Sequence, residues 1–171
     1  LQECILAARA QIENITIPTT PHAGKLTNKE FVARSMLFGA YTTQGQGVSN
    51  NTEKFPELLQ TLHDLATHRP DFIKYDYASV ALNEFTSLKA HKDLRNQPGL
   101  TSLIAIGDFE GGDFWVEDDK GSVPIPQDAV TDKVDPGLMG RLMPCKNRFI
   151  AFYPHRAHCI TPVRRGRRFS I

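Results

Sequence analysis

The chain has 171 residues, of which 40% are hydrophobic and 23% charged, and a formal net charge of +1. That length suits one globular domain with room to bury a core without disulfide or metal staples. The near-neutral total excludes a molecule drawn as a whole to nucleic acid or membrane surfaces, and no apolar run approaches the roughly 18 residues a membrane span needs. The first element is a helix: Leu1, Ile5, Ala8 and Ile12 recur at helical spacing and Pro18 stops the pattern. Thr27-Asn28-Lys29-Glu30 has the form of a capping box. A second helix is expected behind it, with Phe31, Val32, Ser35, Met36 and Phe38 on one face. Residues 39–51 are rich in Gly, Thr, Gln, Ser and Asn and read as a loop. Pro56 suits the first turn of a third helix, whose stripe is Leu58, Leu59, Leu62, Leu65 and Ala66 and which ends at Pro70.

From Tyr75 the periodicity changes to two. Residues 77–84 alternate as a strand, Thr101–Ile106 reads as a second, and Phe114-Trp115-Val116 as a third. A segment over 117–147, rich in Asp, Gly and Pro, reads as loop with one or two short strands. Arg148–Tyr153 and His158–Val163 follow as strands around Pro154-His155-Arg156. Arg164-Arg165-Gly166 reads as a turn and Arg167–Ile171 as the last strand. Helices first and many short strands afterwards argue an α+β fold, with helices bracing a β-sandwich or barrel. The three cysteines, Cys4, Cys145 and Cys159, have no disulfide or zinc spacing, so a reducing intracellular compartment, cytoplasm or nucleus, is expected. The start at Leu1 and the stop just after Arg-Phe-Ser-Ile lead to the expectation of a fragment of a longer chain.

Three elements carry chemistry. In His91-Lys92-Asp93 the residues two apart share a side in extended backbone, so imidazole and carboxylate can converge on one ion. His158 stands in an apolar strand context, and two His with one carboxylate form the facial triad of non-haem Fe(II) oxygenases. Arg168 lies ten positions after His158 with a glycine-containing turn between them, so a hairpin would place the two on neighbouring strands, sharing a face. An arginine inside a metal pocket grips a carboxylate with two parallel hydrogen bonds, and Ser170, two residues on, can add a third. Each part also has an ordinary reading: a surface His-x-Asp pair, a satisfied core histidine, a solvated basic hairpin. His155 competes as a ligand but follows Pro154 in an expected turn, which favours His158.

The ordered set His91-x-Asp93, Gly111-Gly112 opening a strand, His158 and Arg168-x-Ser170 resembles the Fe(II)/2-oxoglutarate dioxygenase superfamily. The resemblance covers roughly residues 75–171. It implies a double-stranded β-helix, a jelly-roll type of barrel. The domain organisation expected from it is a single domain over 1–171, with 1–74 mainly helical support and 75–171 the jelly-roll core. It further implies Fe(II) at His91, Asp93 and His158, 2-oxoglutarate at Arg168 and Ser170, O2 as oxidant and ascorbate as accompanying reductant. The implied reaction is hydroxylation of a substrate C–H bond with release of succinate and CO2. The stretches 91–99 and 106–116, the Phe55-Pro56-Glu57-Leu58 helix start and the strand holding Asn83 are similar to the TET/JBP-like branch. That branch implies a modified nucleic-acid base as substrate. The alternatives are a peptide (prolyl-type) or small-molecule hydroxylase, or a catalytically silent cupin-like module. Prolyl hydroxylases often carry Lys where this chain has Arg168. The segments 39–54 and 117–147 are long enough to serve as lids. Arg95 and Asn96 lie where they can touch substrate or brace the metal loop. No acidic residue follows Asp135, so Arg141, Lys146, Arg148, Arg156, Arg164, Arg165, Arg167 and Arg168 suggest a local basic face compatible with nucleic acid.

Overall fold

The computed structural model describes residues 1–19, 33–41, 45–70, 77–85, 87–96 and 99–171. Helix α1 (Gln2–Ile12) buries Ile5, Ala8 and Ile12, the stripe its spacing predicts. Helices α2 (Asn50–Lys54) and α3 (Pro56–Ala66) follow later, with Pro56 in the first turn of α3 and Leu58, Leu62, Leu65 and Ala66 buried. The expected second helix is not found. Its capping box, Phe31 and Val32 lie outside the described residues, and the rest of its span is strand β1 (Ala33–Tyr41). β1 pairs antiparallel with β3 (Ser79–Phe85) over seven residues, which places Met36 and Phe38 together on one face with period two. Long-range pairing has overridden a local helical signal.

Two five-stranded sheets form the body. The first runs β2 (Gly47–Val48), β1, β3, β14 (Phe169–Ser170), β6 (Ala105–Ile106). The second runs β4 (Leu88–His91), β12 (His158–Ile160), β8 (Phe114–Glu117), β10 (Met139–Met143), β9 (Val123–Pro124). Two further antiparallel pairs join β5 (Thr101–Leu103) to β11 (Ile150–Phe152) and β7 (Phe109–Gly111) to β13 (Val163–Gly166). The strand expected over Thr101–Ile106 is therefore two. It breaks at Ile104, whose amide and carbonyl bond to Ile171, so the chain passes from one sheet partner to another.

Three apolar layers follow from the alternation of side chains along each strand. Outside the first sheet, Met36, Phe38, Val80, Leu82, Ile106 and Phe169 pack against α1 and α3. Between the sheets lie Ala33, Phe85, Leu88, Ala105, Phe109, Phe114, Val116, Cys145, Ile150, Phe152 and Ile160. Outside the second sheet, Ala90, Trp115 and Cys159 are covered by Ile125, Ala129 and Val134. That cover comes from the 117–147 segment, which carries β9, a 3₁₀ turn (Gln127–Ala129) and β10, and accepts the Trp115 indole N–H at the Val123 carbonyl. It is a packed outer layer rather than the lid expected. The described part of 39–54 is pinned likewise: Asn51 donates to the Leu37 carbonyl and the Gly39 amide donates to the Thr52 hydroxyl.

Four of the residues expected on a local basic face are paired with carboxylates. Arg141 pairs with Asp118, Arg156 with Asp119 and Glu117, Arg165 with Glu110, and Arg167 with Glu84. Glu84 is itself buried between Arg34 and Arg167. The three cysteines are free, and among the described residues no helix is long and apolar enough to cross a membrane.

Candidate metal centre and carboxylate pocket

His91 and His158 face each other across β4 and β12, as direct register partners, with ring centroids 4.4 Å apart. A bulge makes this possible. Between the two paired positions β4 spans Leu88 to His91 while β12 spans only His158 to Ile160. Without that extra residue, Leu88 and His91 would point to opposite sides; with it, both face the space between the sheets. Ala90 turns outward beside Trp115 and Cys159. The chain then leaves the strand, and the Asp93 amide donates to the Pro154 carbonyl at 2.8 Å, fixing the loop after β4 to the turn before β12.

The resulting cluster brings together His91, Asp93 and His158, with one ligand atom from each lying within 4.8 Å of the others. Asp93 Oδ1 is 3.6 Å from His91 Nε2, and Asp93 Oδ2 is 3.6 Å from His158 Nε2. Both rings are oriented by the same local device. His91 Nδ1 lies 2.8 Å from the Lys89 carbonyl and His158 Nδ1 lies 2.9 Å from the Arg156 carbonyl. A carbonyl only accepts, so each Nδ1 donates, and in the tautomer this fixes for the neutral ring the Nε2 lone pair faces the cluster. Two imidazole lone pairs and a carboxylate aimed at one point repel unless a cation sits among them, which is how an outer-shell carbonyl prepares a metal-binding histidine. The donor set thus fits a divalent metal. Phe114 and Phe152 pack against the His158 ring at 5.7 and 5.0 Å between centroids, holding it between apolar neighbours. His158 is buried, whereas the Asp93 side chain is 39% exposed and marks the open side.

Arg168 does not reach this space by the expected hairpin. The Arg164–Gly166 segment is not a free turn but strand β13, paired with β7. His158 lies in the second sheet, and Arg168 enters β14 of the first, so the two belong to opposing sheets. The alternation along β14 sets the direction: Phe169 packs on the helix side, so Arg168 and Ser170 turn to the interior. Arg168 is fully buried. Its Nε donates to the Gly112 carbonyl at 3.0 Å, Nη2 lies 3.6 Å from Cys145 Sγ, and its guanidinium lies 5.8 Å from the Phe109 ring. Nη1 is buried and has no hydrogen-bond partner among the described residues. Burial pulls the Arg168 pKa below its ordinary value, opposed by Cys145 and Asp113. A buried guanidinium with an unsatisfied donor requires an acceptor anion, and a carboxylate supplies one in the matching fork geometry. Ser170 is buried on the same face, opposite Asn83 on one side and Ala105 on the other.

Gly112 shapes the path of Arg168. It has φ +68°, and a Cβ there would fall 2.7 Å from Arg168 Cδ and 2.9 Å from Val163 Cγ2. The second glycine of Gly111-Gly112 therefore leaves the channel through which the arginine passes. Cys145 and Phe109 line that channel and carry no sequence signal beyond being apolar. His155 is exposed and sits outside the cluster; its Nε2 lies 2.9 Å from the Asn96 carbonyl, while the Asn96 amide donates to the Asp93 carbonyl. Asn96 thus braces the loop through its backbone.

No family model matches the sequence, and no curated protein matches it. Among solved structures, the fold is similar to an oxidoreductase of the 2OG-Fe(II) oxygenase family from Burkholderia pseudomallei, with a TM-score of 0.52 and 18% sequence identity. The match covers 95% of this chain and 73% of that one. At that identity the likeness is one of fold: mostly antiparallel sheets with few helices, in the jelly-roll-like arrangement of a 2OG-Fe(II) oxygenase.

Proposed function

We propose that this chain is an Fe(II)- and 2-oxoglutarate-dependent oxygenase built on a double-stranded β-helix, with His91, Asp93 and His158 as metal ligands and Arg168 and Ser170 as the co-substrate's carboxylate site. The observation that carries the proposal is the buried Arg168 guanidinium, with Nη1 unpartnered, directed into the same inter-sheet core that holds His158. Two imidazoles and one carboxylate alone also suit zinc. The metal ligands alone leave the buried guanidinium unexplained, whereas a bidentate oxo-acid with a distal carboxylate needs both ends held.

When bound, iron and 2-oxoglutarate supply an O2-dependent oxidation that hydroxylates a substrate C–H bond and releases succinate and CO2. Ascorbate fits as an external reductant and needs no site of its own. The protein's part is placement. The Lys89 and Arg156 carbonyls hold the two imidazoles with Nε2 toward the metal position. Phe109, Phe114 and Phe152 keep the interior dry. The Pro154 carbonyl and His155 hold the Asp93 loop at the open side. The similarity of 91–99 and 106–116 to the TET/JBP-like branch supports a modified base as one substrate. The ion pairing of Arg156, Arg165 and Arg167 supports a substrate smaller than a polyanion.

Anaerobic addition of Fe(II) and 2-oxoglutarate should produce a weak visible charge-transfer band. Arg168→Ala should weaken 2-oxoglutarate binding at least about ten-fold, the scale of a charge-assisted pair, while Fe(II) still binds. Unchanged 2-oxoglutarate affinity and unchanged uncoupled succinate release in Arg168→Ala would remove the co-substrate assignment. Succinate release measured against methylated DNA, RNA, peptides and metabolites then sorts substrates.

A further inference from the structure

We infer that the substrate of this site is a small molecule bearing one anionic group, which Arg141 holds; this rests on the oxygenase reading above. The argument begins with register. Across the second sheet, His158 on β12 is the direct partner of Val116 on β8, and Val116 is the direct partner of Arg141 on β10. Direct partners share a face. Val116 belongs to the inter-sheet core, and Met143, two residues from Arg141 on the same strand, packs against that core opposite Phe114. Arg141 is therefore rooted on the face that carries the two imidazoles, two strands from His158, or roughly 10 Å by strand spacing.

A cavity of about 240 Å³ lies at this position, with Leu100, Val116 and Phe152 among its apolar lining and Tyr153 and Arg141 among its polar lining. Phe152 forms part of the cavity wall, and its ring centroid lies 5.0 Å from that of His158, which itself does not line the cavity. The cavity's volume lies just below the usual range of ligand pockets, ~300–1,000 Å³. Charge in the wall is distributed unevenly. Arg156 has both terminal nitrogens on the Asp119 carboxylate, at 2.6 and 2.9 Å. Glu117 accepts the Ala157 amide and pairs with Lys92 and Arg156. Arg141 meets Asp118 through Nε, at 3.1 Å, its side chain is 59% exposed, and its two terminal nitrogens make no hydrogen bond to the described residues. Of the charged groups lining the cavity, this fork is the one left open, and a fork of that shape takes a carboxylate or phosphate in two parallel bonds. One guanidinium beside Val116 and Phe152 suits one anion on a compact, partly apolar body.

The test uses the full chain loaded anaerobically with Fe(II) and saturating 2-oxoglutarate, so that Arg168 is already occupied. Ligand-observed NMR titration compares 3-phenylpropionate, phenyl phosphate and the neutral 3-phenylpropionamide on wild type and on Arg141→Gln. The inference expects at least one of the two anions to bind ten-fold or more tighter than the amide. It expects that preference to vanish in Arg141→Gln, with 2-oxoglutarate affinity unchanged; which anion wins tells carboxylate from phosphate. Equal binding of anions and amide, no binding of any of the three, or a preference that survives Arg141→Gln overturns it. Absence of the charge-transfer band in wild type would instead sink the oxygenase reading, so the two failures are distinct.

Discussion

Substituting Gly112 by alanine tests whether the Arg168 channel is built as described. The new Cβ would stand 2.7 Å from Arg168 Cδ, 2.9 Å from Val163 Cγ2 and 3.2 Å from Arg168 Nε, at a residue with φ +68°. Placing an L-residue in left-handed backbone costs ~1–2 kcal/mol, and forcing a methyl group into a filled interior costs ~1–3 kcal/mol. Together the fold should lose ~2–5 kcal/mol, a large part of a typical domain's ~5–15 kcal/mol. In urea this lowers the midpoint by about 1–2.5 M for a slope of ~2 kcal/mol per molar. Where the variant remains folded, 2-oxoglutarate affinity should fall more than Fe(II) affinity, because the clash displaces the arginine and not the imidazoles. On an Arg168→Ala background the same glycine substitution should cost less, since one clashing partner is gone, giving a coupling energy measurable in a double-mutant cycle. Gly112→Ala with unchanged midpoint and unchanged 2-oxoglutarate affinity would refute the account of the channel.

Two further outcomes follow from neighbouring residues. The Cys159 thiol is pushed up to about 12, chiefly by burial and secondarily by Asp128. An unfolded thiol ionises near 8.5, so above that pH the unfolded chain holds fewer protons than the folded one, and stability falls as pH rises. Between about pH 9 and 12, wild type should lose stability relative to Cys159→Ala by up to ~1.4 kcal/mol per pH unit, read from urea midpoints across that range; parallel profiles would contradict it. His155→Ala removes only the brace to the Asn96 carbonyl. It should keep one Fe(II) per chain with affinity reduced by about ten-fold or less, at or below the lower end for outer-shell partners, whereas loss of iron binding in an anaerobic titration would return His155 to the ligand set.

The chemistry-bearing residues were more legible than the path that joins them. His158 stands out because a polar ligand type in an apolar strand is costly to bury without purpose. His91-x-Asp93 stands out by its two-residue spacing, and Arg168 by its interval from His158. What the sequence could not convey is sheet membership. The ten-residue interval between His158 and Arg168 suggested a hairpin, yet β13 intervenes and pairs with β7, so the two residues approach from opposite sheets. The bulge that turns His91 inward is likewise invisible, because it depends on the register with β12. At β1, alternating Met36 and Phe38 were masked by a run that also fits a helix, and only the seven-residue ladder with β3 decides between them. The 117–147 segment looked like a lid because its Gly, Pro and Asp content is that of a loop. Its Ile125, Ala129 and Val134 instead close the outer face of the second sheet over Trp115.

The central claim is that two imidazoles and one carboxylate share a single metal ion. Anaerobic Fe(II) titration of the wild type, His158→Ala and Asp93→Ala, each checked for retained secondary structure by circular dichroism, tests it directly. One ion should bind per wild-type chain, and either substitution should abolish that binding. An unchanged stoichiometry and affinity in a folded His158→Ala chain would mean that the ion, if bound, sits elsewhere.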